Sequence, residues 1–212
     1  RRAERGLRYL APDFFVVHPL HAEGVEEEIV ILDQAFMSQV AESSWHVPAY
    51  ASWLETVDQG AAYQHLRAVM QLLQRQRGGD PWVLKTPHHA EWLDVLFRVF
   101  PDALVVQTHR DPLKTVPSFF SMVAHLRGIC SDAIDPEAIG AHWLRKLHRM
   151  AERSMAVREG LSAGRVLDVS YYDLMEDPIA QVRRIHEASG RELSQDAVTA
   201  MEAARKVDRK DR

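Results

Sequence analysis

The chain has 212 residues, 46% hydrophobic and 26% charged, with a formal net charge of −4. By length this is one domain with enough chain to bury a real core, and the balance is ordinary for a globular protein. No charge excess points to nucleic acid or an anionic membrane, and no apolar run approaches a membrane span or signal-peptide core. Cys130 is the only cysteine. An intrachain disulfide is therefore ruled out, which fits a reducing, cytoplasmic setting, and Cys130 is expected as a small buried residue near a helix end.

Residues 1–22 read as irregular, because Pro12 and Pro19 interrupt any helix. A helix is expected over 23–41, with Glu26, Glu27 and Glu28 in its first turn and Ile29, Leu32, Phe36 and Val40 as a buried stripe. A short helix around Trp53 and Leu54 follows, then a clearer one over 60–77 with Tyr63, Leu66, Val69/Met70 and Leu73 at helical spacing. Gly78-Gly79-Asp80-Pro81 stops it. A strand over 82–85, a helix over 89–100 and a strand over 103–108 are expected as a β-α-β unit with parallel strands. Asp111-Pro112, Asp135-Pro136 and Asp177-Pro178 each read as a helix start, with Asp capping unpaired N–H groups and Pro at the first helical position. Residues 165–169 form a third short strand, and the remainder reads as helix. Alternating strands and helices give an α/β fold with long helical insertions.

The chemistry gathers at the strand ends. Lys85 ends one apolar run and Arg110 the next, where ligands of parallel sheets sit and helix N-termini favour anions. The arginine offers a planar fork of donors to a phosphate or sulfate. Ser118 lies two turns into the following helix, on the face of Asp111 and Lys114. Pro117 is expected to loosen or kink that helix beside it. His88 and His89 open the segment after Lys85, where an imidazole can accept a proton from a hydroxyl. No HExxH or Cys/His spacing suggests a metal, and Gly78-Gly79 lacks the Lys-Ser/Thr of a phosphate loop.

These segments together resemble the sulfotransferase superfamily, in its bacterial branch. The matching stretches are Trp82-Val83-Leu84-Lys85-Thr86-Pro87-His88-His89, Val105-Val106-Gln107-Thr108-His109-Arg110-Asp111-Pro112 through Ser118, and Tyr171-Tyr172-Asp173-Leu174-Met175-Glu176-Asp177-Pro178. His18-Pro19-Leu20-His21 followed by Glu26–Glu28 is also similar to this branch. The resemblance implies a P-loop-NTPase-like parallel sheet flanked by helices. It also implies transfer of the sulfuryl group of 3′-phosphoadenosine 5′-phosphosulfate (PAPS) to a hydroxyl or amine, without a metal. By matching positions Arg110 and Ser118 would bind the donor's 3′-phosphate and Tyr171 the adenine. Lys85 would sit near the sulfuryl group, with His88 as candidate base and His89 and His18 in reserve. The acceptor would be a small molecule, with carbohydrates, lipids and phenols all compatible, and residues 12–60 and 120–160 are expected to cap the site and set its specificity.

The chain departs from the family pattern at its start, since residues 1–22 contain no P-[RK]-[ST]-G-[ST]-[ST] loop for the 5′-phosphosulfate. The first strand and that loop are expected to be missing and the chain trimmed at both ends, with Arg205–Arg212 the beginning of a basic segment. On that reading the chain alone binds 3′-phosphoadenosine 5′-phosphate (PAP) weakly and turns over negligibly. The alternative is a non-catalytic anion- or nucleotide-binding module derived from a sulfotransferase.

Overall fold

The computed structural model describes residues 2–12, 14, 24–78 and 81–208; the candidate His18, Gly79-Asp80 and the end of the basic tail lie outside the described residues. The chain divides into two compact units, Arg1–Pro101 with Thr115–Glu159, and Asp102–Lys114 with Gly160–Arg212.

The first unit is helical. Helix α1 spans Arg2–Leu10, in a segment expected to be irregular, and carries an Arg8–Glu4 pair one turn apart at 3.2 Å. The helix expected over 23–41 is broken into α2, Ile29–Gln34, and α3, Val40–Ser44. Phe36 lies between them at φ 55° and is 79% exposed rather than in the core. The Tyr50 hydroxyl, donating to Ser38 O at 2.7 Å, and the Ser38 hydroxyl, donating to Asp33 Oδ1 at 2.7 Å, hold this turn. Helix α4, Pro48–Leu54, and helix α5, Gly60–Arg77, follow the expected pattern. Tyr63 and Leu66 are fully buried on α5, and Gly78 ends it at φ 64°, a conformation that costs glycine little.

Residues 82–85 are not a strand. Val83 is 94% exposed, and the Lys85 N–H donates to Glu28 Oε2 at 2.7 Å instead of entering a ladder. Apolar character without a neighbouring strand does not make one. A 3-10 turn, Pro87–Glu91, replaces the start of the expected helix, with the Thr86 hydroxyl accepting from the His88 N–H. Helix α6, Leu93–Val99, then buries Leu93, Leu96 and Val99.

Helices α7, Pro112–Gly128, and α8, Pro136–Glu159, begin at the expected Asp-Pro pairs. Asp111 Oδ1 accepts from the Leu113 N–H at 2.9 Å, and Asp135 Oδ1 accepts from Glu137 and Ala138, both at 3.0 Å. Two units share α7, which runs unbroken through Pro117. Val123, Ile139 and Trp143 form a buried apolar cluster with Phe119 and Phe120 against it. Cys130 lies just past α7, as expected, but is exposed rather than buried.

The second unit holds the sheet. Strands β1, Val105–His109, and β2, Val166–Ser170, run parallel in the register Val105↔Val166 to His109↔Ser170. The parallel partner of β1 is therefore the late strand, not the segment at 82–85. Helices α9, Tyr171–Glu176, α10, Pro178–Ala188, and α11, Gln195–Asp208, complete an α/β architecture with a small sheet. Asp177 caps α10 as its sequence demands, accepting from the Ala180 N–H at 3.0 Å.

Candidate active site

In the sheet unit the register brings the two strand ends together. His109 pairs with Ser170, so the next residues, Arg110 and Tyr171, are neighbours beyond the carboxyl edge. The Arg110 guanidinium lies over the Tyr171 ring, 4.2 Å from its centroid. Such stacking holds the fork of an exposed arginine in one plane while its N–H groups stay available to an anion. Ser170 caps α9, its hydroxyl accepting from the Tyr172 N–H at 3.2 Å, which fixes where Tyr171 leaves the strand. His109 Nε2 and Asp168 Oδ1 are 2.6 Å apart across the strands. Ser118 belongs to the helical unit and is exposed on α7.

In the helical unit Lys85 is exposed and its Nζ pairs with Glu27. Glu28 bridges the same segment: Oε2 accepts from the Lys85 N–H and Oε1 meets His89 Nε2 at 2.7 Å. Burial raises the Glu28 pKa, but the His89 contacts and the backbone donors outweigh it and hold the carboxyl below its ordinary value. His89 Nδ1 meets the Tyr63 hydroxyl at 2.8 Å, so both its ring nitrogens are engaged. His88 is different. It is 1% exposed, neither ring nitrogen has a hydrogen-bond partner, and burial, with the charges of His89 and Lys146, pushes its pKa down to about 3. An imidazole so placed stays neutral but has no contact through which to take a proton from a ligand.

The turn carrying these histidines is clamped through Glu91, a residue to which the sequence alone pointed no role. Arg149 Nε donates to Glu91 Oε1 at 2.8 Å, Arg153 Nε donates to the Glu91 carbonyl at 2.8 Å, and Lys146 Nζ lies 3.7 Å from Glu91 Oε2. Lys146 is completely buried and also pairs with Glu42, whose Oε2 lies 3.0 Å from His142 Nε2. His142, Lys146, Arg149 and Arg153 recur at helical spacing along α8. That periodic row of His, Lys and Arg side chains within a helix bearing Trp143 and Met150 was the available signal. Among the described residues no three His, Cys, Asp or Glu side chains are grouped to hold a metal ion.

Comparison with known proteins decides the family. A family model described as the sulfotransferase family matches residues 1–195. The chain belongs to the sulfotransferase family. This sulfotransferase-family chain is 28% identical over 130 residues to omega-hydroxy-beta-dihydromenaquinone-9 sulfotransferase Stf3 of Mycobacterium bovis and of Mycobacterium tuberculosis. The match covers 58% of this chain and 32% of each relative, so the chain spans about a third of their length. The crystal structure of sulfotransferase STF1 from Mycobacterium tuberculosis superposes with a TM-score of 0.81 at 33% identity, covering 93% of this chain and 56% of that one. Sulfotransferase STF9 from Mycobacterium avium gives a TM-score of 0.82 at 24% identity over 92% of this chain and 53% of its own, a likeness of fold. The small parallel sheet with abundant helix thus belongs to the P-loop-like fold of sulfotransferases.

Proposed function

We propose that this chain carries the donor-nucleotide half of a PAPS-dependent sulfotransferase acting on a hydroxyl of a small, apolar acceptor. The observation that carries the reading is Arg110 stacked on Tyr171 at the carboxyl ends of two parallel strands, within a sulfotransferase-family chain. Arg110 and Ser118 bind the donor's 3′-phosphate, and Tyr171 contacts the adenine. Lys85 meets negative charge at the sulfuryl group and the leaving phosphate, for which it exchanges its pairing with Glu27. PAPS supplies an activated sulfuryl group when bound; the chain's residues position it and counter the charge that develops on departure. The lipid-like substrate in the name of the mycobacterial relatives supports an apolar acceptor over a carbohydrate.

The 3′-phosphate is what separates PAP from adenosine 5′-phosphate, so comparing the two isolates the proposed contact. Calorimetric titration is expected to show PAP binding the chain more tightly than adenosine 5′-phosphate, with Ser118→Ala narrowing the difference. Equal affinities in the unsubstituted chain would refute the assignment.

A further inference from the structure

The two strands of the sheet unit are not held alike. Strand β2 packs on α9 and α10, and Arg184 Nη2 on α10 donates to the Asp168 carbonyl at 3.4 Å. Strand β1 packs chiefly on β2, and Arg110 follows directly on its last residue. Whatever ties the end of β1 to β2 therefore also sets where Arg110 stands. The ladder partner of His109 is Ser170, whose hydroxyl is committed to the cap of α9. His109 reaches diagonally instead. The register pairs Gln107 with Asp168, which puts Asp168 on the same face of the sheet as His109, one diagonal step away. There His109 Nε2 lies 2.6 Å from Asp168 Oδ1, with both side chains about half exposed. A carboxylate only accepts, so Nε2 holds a proton and donates it whatever charge the ring carries.

We propose that His109 and Asp168 are positioning residues for the donor nucleotide. Their diagonal bond clasps the end of β1 to β2 and so holds Arg110 over the Tyr171 ring, with its fork set for a phosphate. The proposal rests on the reading of Arg110 as a ligand of the 3′-phosphate, and on it neither His109 nor Asp168 touches the nucleotide. An exposed pair adds little to global stability. Its effect is local, because a sheet of two five-residue strands is marginal and opens first at its ends. Once the end of β1 frays, the backbone of Arg110 loses its fixed place, and the arginine must be ordered when the ligand binds. That ordering cost is what the clasp removes in advance.

Two readouts on the 212-residue chain test it. The side-chain NMR signals of Arg110 report the stack, because an aromatic ring centred 4.2 Å away shifts them upfield. Calorimetry reports the affinities for PAP and for adenosine 5′-phosphate. His109→Leu is expected to move the Arg110 signals toward their positions in Tyr171→Leu and to weaken PAP about threefold, the scale of an exposed pair. Adenosine 5′-phosphate, which lacks the 3′-phosphate, is expected to change little. His109→Gln still offers Asp168 an N–H and is expected to restore both readouts. Asp168→Ala breaks the same bond from the other strand and keeps the test open if His109→Leu misfolds. In the double variant the loss is expected not to exceed that of either single one. Additive losses, a His109→Gln variant as impaired as His109→Leu, or unchanged Arg110 signals and PAP affinity in both single variants would overturn the clasp and leave the donor reading standing. Arg110 signals that move in His109→Leu, with PAP and adenosine 5′-phosphate bound equally by the unsubstituted chain, would overturn the role in donor binding through failure of that reading.

Discussion

At the residue scale, burial decides which titratable groups can do chemistry. His88 and His89 are adjacent and look equivalent as letters, yet one is buried with neither ring nitrogen partnered and the other spans Glu28 and Tyr63. Sequence reading put both at the start of the turn but could not say which side chain would turn inward. The depressed pKa of His88 has a consequence for stability. Its folded value is about 3 against an ordinary 6.5, so between these values the unfolded chain binds a proton that the folded chain refuses. Its contribution is therefore fully present above about pH 6.5 and is lost as pH falls toward 3, at up to about 1.4 kcal/mol per pH unit. The lowered Glu28 carboxyl acts separately, in the window below the ordinary carboxyl value of 4.5. Urea midpoints measured from pH 7.5 to 5 are expected to fall, and to fall less steeply in His88→Phe. Identical slopes would mean that His88 is not held neutral by burial.

At the element scale, local signals were legible and long-range ones were not. The three Asp-Pro pairs start helices because cap and proline act within one turn, and α5 ends at Gly78 for an equally local reason. Residues 82–85 had the composition of a strand, but a strand is defined by its neighbour, and β1 pairs with a segment some sixty residues later. The broken α2–α3 segment failed likewise: Tyr50, 12 residues beyond Ser38, stabilises a turn that periodicity read as helix. The Glu42–Lys146–Glu91 chain spans 104 residues between its first two members and has no sequence signature beyond the row of His, Lys and Arg on α8. Together with the Arg149 and Arg153 contacts to Glu91, it fastens α8 to α3 and to the 3-10 turn. Lys146→Met removes the ammonium from between two buried carboxylates, and such a break is expected to cost about 3–5 kcal/mol. Thermal and urea unfolding measure it; a loss below 1 kcal/mol would show that the carboxylates do not depend on Lys146.

At the scale of the whole molecule, three weak motifs in order pointed to a family that none established alone, and the family match over residues 1–195 bears that out. The α/β class was also legible, because strands and helices alternate; the division into two units was not, since both draw on separated stretches of chain. Of the candidate site residues, Arg110 and Tyr171 are brought into contact by strand register, a relation spacing cannot reveal. Lys85 stands exposed beside Glu27, and Ser118 is exposed on α7. The central claim is that Arg110 holds the 3′-phosphate of the donor nucleotide. Calorimetric titration of PAP into the chain and into Arg110→Ala tests it most directly. A loss of about 2–3 kcal/mol, roughly a 30- to 150-fold weaker affinity, is expected for removing a charge-assisted contact. Unchanged PAP affinity in Arg110→Ala would contradict it.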